Sequence, residues 1–130
     1  MSWKVAILFV VFFPLHTSAQ SSPPLSSELS LEQSKKLPPF PPKDVTFQIR
    51  DDRAVVEWSK IPSDRITGYV VYRSTADRPL KKIGTTKQPP FVDTESVPNN
   101  VTVRYAVAAV DYNNNEGRPR IADRKYDSKK

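Results

Sequence analysis

From Val45 onward the chain is built of short runs in which apolar and polar side chains alternate, cut by turn residues, and this period of two points to strands. Val45, Phe47 and Ile49 alternate with Thr46, Gln48 and Arg50. Asp51-Asp52 turns the chain, and Ala54, Val56 and Trp58 then alternate with Val55 and Glu57. Ile61-Pro62-Ser63-Asp64-Arg65 reads as a loop, because Pro and Ser-Asp punctuate there. Residues 66–74 (ITGYVVYRS) are β-branched and aromatic, the composition of a third strand. Residues 80–86 predict a fourth at a sheet edge, where Lys81 and Lys82 discourage pairing with another molecule. Phe91-Val92 gives a short fifth. Residues 101–112 give the longest, with Val103, Tyr105, Val107 and Ala109 on one face. Asn113-Asn114-Asn115-Glu116-Gly117 turns the chain into a last strand at Arg120-Ile121-Ala122, with Pro119 tolerable at its start.

Seven short strands at fairly even spacing, with no strong helix, predict an all-β fold: an antiparallel β-sandwich over residues 40–123. That length suits a single core. Trp58, Tyr69 and Tyr105 are the structural core residues expected to bury most area.

The first residues belong to a different part of the chain's history. Lys4 precedes an apolar run that ends at Thr17-Ser18-Ala19, the form of a signal peptide cleaved after Ala19. The run is shorter than the roughly 20 apolar residues that span a bilayer, and Pro14 interrupts it. A secreted or periplasmic product with no transmembrane segment after cleavage is therefore expected. Residues 20–39 are rich in Ser, Gln, Lys and Pro and predict a disordered linker. Residues 30–36 have helical character but are too short to hold a helix alone. Pro38, Pro41 and Lys43 match a polyproline docking pattern, although a stiff entry to the domain explains the prolines better.

Export makes the side-chain inventory decisive. The chain has no Cys, and its one His, His16, lies in the signal peptide. The mature chain therefore lacks the parts for Ser-His-Asp or Cys-His catalysis, for imidazole or thiolate zinc sites, and for His- or Cys-held haem. No cofactor is expected. Carboxylates remain, but Asp51-Asp52 sits in a tight turn and Glu57 alternates outward, so a carboxylate-based hydrolase is the least favoured reading. Asp111-x-Asn113-x-Asn115 has the opening spacing of a calcium loop, yet Glu116 stands where Gly is needed and Ala122 where the closing Glu belongs. A turn in which Asp and Asn side chains bond the backbone is the expected role. Asn100-Val101-Thr102 is an N-glycosylation sequon, which makes Asn100 a candidate glycan acceptor in a eukaryotic secretory pathway and an accidental match in a bacterial one. Residues 124–130 form a basic tail, part of a cationic stretch that starts at Arg118. Without Lys4 the net charge falls from +6 to +5, which suits an anionic polysaccharide or envelope surface. Nucleic acid is not expected, since no binding motif is present.

Several segments together resemble a fibronectin type III module, of the kind found in bacterial envelope proteins and attached to secreted glycosidases. They are Pro42 through Val45, Ala54-x-Val56-x-Trp58, Ile66-Thr67-Gly68-Tyr69-Val70-Val71-Tyr72-Arg73, Phe91-Val92-Asp93-Thr94, and Tyr105-Ala106-Val107-Ala108-Ala109-Val110-Asp111 running on to Gly117. The resemblance implies a seven-stranded immunoglobulin-like sandwich. It also implies a non-catalytic exported module that binds a partner protein or spaces other parts, with a carbohydrate- or cell-wall-associated module as the alternative. Family members often bind through loops at the ends of the sandwich, which marks Asp64, Arg65, Asn113, Asn114, Asn115 and Arg118 as candidate contact residues. One departure stands out. The family's corner tyrosine falls at Val103, so the hydroxyl tie to the backbone is expected to be missing.

Overall fold

A computed structural model describes residues 10–12, 14, 31–34, 36–98 and 100–125. Most of the signal peptide, its cleavage point, most of the linker, and the end of the basic tail lie outside the described residues.

The strands are β1 (Lys43–Arg50), β2 (Arg53–Ser59), β3 (Ile66–Thr75), β4 (Lys81–Thr86), β5 (Phe91–Val92), β6 (Val103–Asp111), β7 (Arg120–Ile121) and β8 (Asp123–Arg124). They form two four-stranded sheets, in the orders β5-β2-β1-β8 and β4-β3-β6-β7. β4 lies at a sheet edge, where its lysines place it.

Eight strand segments stand where seven were expected, because the closing strand changes sheets at Ala122. β7 pairs with β6, with Ile121 opposite Ala106. Ala122 donates its N–H to the Tyr105 carbonyl at 2.8 Å and buries its methyl group. β8 then pairs with β1 in parallel, with Asp123 opposite Thr46, so the pairing is not antiparallel throughout. Arg124, assigned from sequence to the tail, thus lies in a strand, and Lys125 N donates to the Phe47 carbonyl at 2.8 Å.

Alternation sets the core. Val45, Phe47, Ala54, Val56 and Trp58 from one sheet meet Tyr69, Val71, Val103, Tyr105, Val107 and Ala109 from the other. Trp58 is 6% exposed, and its ring centre lies 5.2 Å from that of Tyr69 at a tilt of 60°. Phe47 and Tyr105 make a second tilted pair at 5.0 Å. Such contacts add about 0.5–1.5 kcal/mol beyond the area they bury. Val70, Ala106 and Ala108, which alternate away from this core, are buried as well.

The two sheets are joined at two poles. Asp51 and Asp52 make the two-residue β1–β2 turn with φ of 48° and 62°, the left-handed pair of a type I′ hairpin. This turn shares its pole with the stretch after β5, where Val97 N donates to the Asp52 carbonyl at 2.8 Å. The other pole holds residues 60–65, the β6–β7 connection and the chain's entry into β1.

The entry departs from the linker expectation. Residues 31–34 and 36 are helical, Leu37 N reaches the Gln33 carbonyl at 3.2 Å, and Pro39 is buried. The last part of the linker is held because it docks on the sandwich. Gly117 lies against Pro39 so closely that a Cβ there would collide with the Pro39 carbonyl.

Candidate functional site

Asp111 ends β6 at the entry pole, and its side chain is fully buried. Burial of a carboxylate is costly unless its oxygens are paired, and here both are. Oδ1 accepts the N–H groups of Asn113 and Asn115, each at 2.9 Å. Oδ2 accepts from Arg65 Nη2 at 2.8 Å, Arg65 Nε at 3.2 Å and Asn115 Nδ2 at 3.1 Å. Burial alone would raise the Asp111 pKa. The hydrogen bonds from Arg65, then those from Asn115 and Asn113, outweigh it and bring the group down to about 2. The carboxylate's acceptor positions are thus turned towards the protein's own donors, and Asp111-x-Asn113-x-Asn115 serves as a turn organiser. Asn114, in the middle, takes the left-handed conformation at φ 61°, which Asn tolerates.

Through Arg65 the same carboxylate holds three segments together. Tyr112 N donates to the Arg65 carbonyl at 3.0 Å, joining residues 61–65 to the β6–β7 turn. Arg65 Nη2 also donates to the Leu37 carbonyl, tying in the entry segment. Ile61 N is met by the Tyr69 hydroxyl at 2.9 Å, so a core aromatic fixes the start of the loop. On the far side of the turn, the Tyr72 hydroxyl donates to Glu116 Oε1. Partial burial and that carboxylate push the Tyr72 hydroxyl up to about 12.

Above these bonds the pole exposes apolar side chains beside polar ones. Phe40 is 89% exposed and Tyr112 53%, with Leu37 also exposed. A groove of about 230 Å³ runs between Leu37, Pro38, Phe40, Ile61, Arg65 and Ile66. Of the six candidate contact residues, Asp64, Asn113, Asn114 and Arg118 are exposed at this pole. Arg65 and Asn115 are half-buried and turn to Asp111, which makes them supports of the surface. Sequence reasoning missed the contribution of Leu37, Pro38 and Phe40. The available signal was Gly117, which has no positive φ to explain it and is needed for space.

The other carboxylates weighed for paired-carboxylate chemistry, Asp51, Asp52 and Glu57, are not gathered around Asp111. Asp51 and Asp52 sit at the opposite pole from Asp111, and Glu57 lies along β2 with Lys125 Nζ at 3.7 Å. A separate cluster links the sheets. Arg73 Nη1 lies 2.7 Å from Asp93 Oδ2, and Arg73 Nη2 also pairs with Glu95. The Tyr105 hydroxyl donates to Asp93 Oδ2 at 2.6 Å, and Glu95 N to Asp93 Oδ1 at 3.0 Å. Burial first, and then the Asp93 carboxylate, raise the Tyr105 hydroxyl well above the usual phenol range. Val103 carries no hydroxyl, so the corner tie to the backbone is missing as expected, and a different tie stands nearby. It is made by Tyr105, two residues later in the strand, and runs to the Asp93 side chain. Asn100, with its sequon, is exposed at the pole away from Asp111.

No family model and no curated protein matches this sequence. Among solved structures, an Fn3-like protein from Clostridium thermocellum matches over 97% of its length and 72% of this chain, with 24% identity and a TM-score of 0.59. The chain has a fibronectin type III-like fold. The fibronectin type III-like fold also matches part of the spore cortex lytic enzyme SleM of Clostridium perfringens, at 19% identity and TM-score 0.52, covering 67% of this chain and 29% of that one. A titin fragment matches at 19% identity and TM-score 0.54, over 68% of this chain and 33% of its own. In this fibronectin type III-like domain the core aromatics lie where the sequence motifs place them, with Trp58 on β2, Tyr69 on β3 and Tyr105 on β6.

Proposed function

We propose that this protein is an exported, non-catalytic module that docks a partner protein through the pole organised by Asp111. The fold supports a generic non-catalytic domain. One observation carries the more specific reading: three segments distant in sequence are locked by a single buried carboxylate into a surface that exposes Phe40 and Tyr112. Exposed aromatics on a rigid support lose little freedom on binding, which is how contact area becomes affinity. The apolar leader supports export.

The test is site-specific photocrosslinking in the native cell. A crosslinker at Phe40, Tyr112 or Asn114 is expected to capture one and the same protein, and a crosslinker at Asp51 on the opposite pole is expected not to. Equal capture from Asp51, or no protein captured from the Asp111 pole, would overturn the reading.

The polysaccharide alternative has an observation of its own, the exposed cations Arg118 and Arg120 before and along β7. Salt-sensitive retention on an anionic polysaccharide, lost in the doubly substituted R118S/R120S chain, would favour it.

A further inference from the structure

We infer that Asn100 is an N-glycan acceptor and that its glycan occupies the pole opposite the Asp111 surface. This rests on the export part of the proposed function. Asn100 is the only asparagine in the chain with Ser or Thr two residues on, and the residue between is Val101, not proline.

The fold treats the three positions of this motif differently. Asn100 and Thr102 are exposed, and Val101 between them is half-buried. The turn is closed by Val101 N donating to the Pro98 carbonyl at 3.3 Å, and the Thr102 carbonyl accepts Ala76 N at 2.8 Å. Backbone and apolar side chain thus hold the segment to the sandwich, while the acceptor amide and the threonine hydroxyl face water. A bulky, solvated group on Asn100 displaces no core side chain. A groove of about 450 Å³ lies beside it, between Ala76, Asp77, Val101, Thr102 and Arg104, and gives the first sugar a wall of mixed polar and apolar groups.

The chemistry needs a lipid-pyrophosphate-linked oligosaccharide as donor. The Asn100 side-chain nitrogen forms a bond to the anomeric carbon of the terminal sugar, and the bond from that carbon to the pyrophosphate oxygen breaks. The lipid pyrophosphate leaves with the electron pair, and the amide gives up one proton. Nothing is oxidised or reduced. The product carries its sugar at the pole of residues 51–52 and 76–79, so a partner meets the Asp111 pole unobstructed.

The test is secretion of the full chain from eukaryotic cells, with and without an established secretory leader in place of residues 1–19. The secreted protein is expected to migrate as a single slow band that collapses on treatment with peptide N-glycosidase, with the Asn100 amide converted to an acid. N100Q and T102A are expected to abolish the shift, and T102S to retain it. Circular dichroism of the two non-shifting variants is expected to match that of the parent. Absence of the shift with both leaders, or its persistence in N100Q, overturns the site. A shift seen only with the substituted leader supports the site and overturns the export reading.

Discussion

At the scale of single residues, Asp111 and Tyr105 do the same job at opposite ends of β6: each turns a buried polar group into a joint between segments. Asp111 has a folded pKa near 2, below the ordinary carboxylate value of about 3.9. A depressed carboxylate stabilises the fold above its unfolded pKa, and that contribution is lost as pH falls through the folded value. Stability of the parent is therefore expected to decline between about pH 4 and pH 2. D111N removes this titration, so its urea midpoint should be lower at pH 7 and change less over that window. An unchanged acid limb in D111N would show that other carboxylates govern it. Tyr105 gives a second expectation. Y105F deletes one donor to Asp93 without emptying the core, and should cost about 1–2 kcal/mol in urea unfolding, with the slope of the transition unchanged. A cost near zero would mean that Arg73 and the Glu95 N–H satisfy Asp93 without it.

At the scale of elements, the entry segment is the least expected feature. Its docking depends on backbone meeting backbone at Gly117 and Pro39, where no flexible side chain can give way. G117A should push residues 37–39 off the sandwich while β1 to β8 persist. The measurement is limited proteolysis or amide exchange, with faster cleavage or exchange expected around Leu37 and little change in β3 or β6. Protection at Leu37 equal to the parent would show that the segment holds by other contacts. How the elements could be read follows from the range of the forces involved. β1, β2 and β6 were legible because alternation is a local signal that burial enforces, and β3 because β-branched and aromatic composition is a local signal too. The division of the last strand was not, since Arg120 to Arg124 is too short to show which sheet each half joins. The docked prolines were missed for a similar reason. Pro-rich composition reports stiffness and carries no information on a contact made with Gly117 far along the chain.

At the scale of the whole molecule, one shared core between two sheets predicts a single cooperative unfolding transition with an all-β circular dichroism spectrum. A helical spectrum, or separate transitions for Trp58 fluorescence and backbone signal, would contradict a single core. The candidate site is a property of this scale too. Arg65, Asn113 and Asn115 were visible from sequence as members of two loops, yet their convergence on Asp111 comes from the pairing of β3 with β6, which sets Ile66 opposite Asp111. The same placement separates Asp111 from Asp51 and Asp52, which removes any paired-carboxylate chemistry between them.

The parallel contact of β8 with β1 carries a mechanical consequence. The chain enters β1 at one pole, and β8 runs in the same direction alongside it, with Thr46 facing Asp123 and Phe47 facing Arg124. Tension applied between the start of β1 and the end of β8 drags these neighbours past each other along their length. Their hydrogen bonds, Lys125 N to Phe47 O among them, are then strained together in shear instead of being peeled open one at a time. A tether stretched through this domain would resist extension more strongly than its small size suggests.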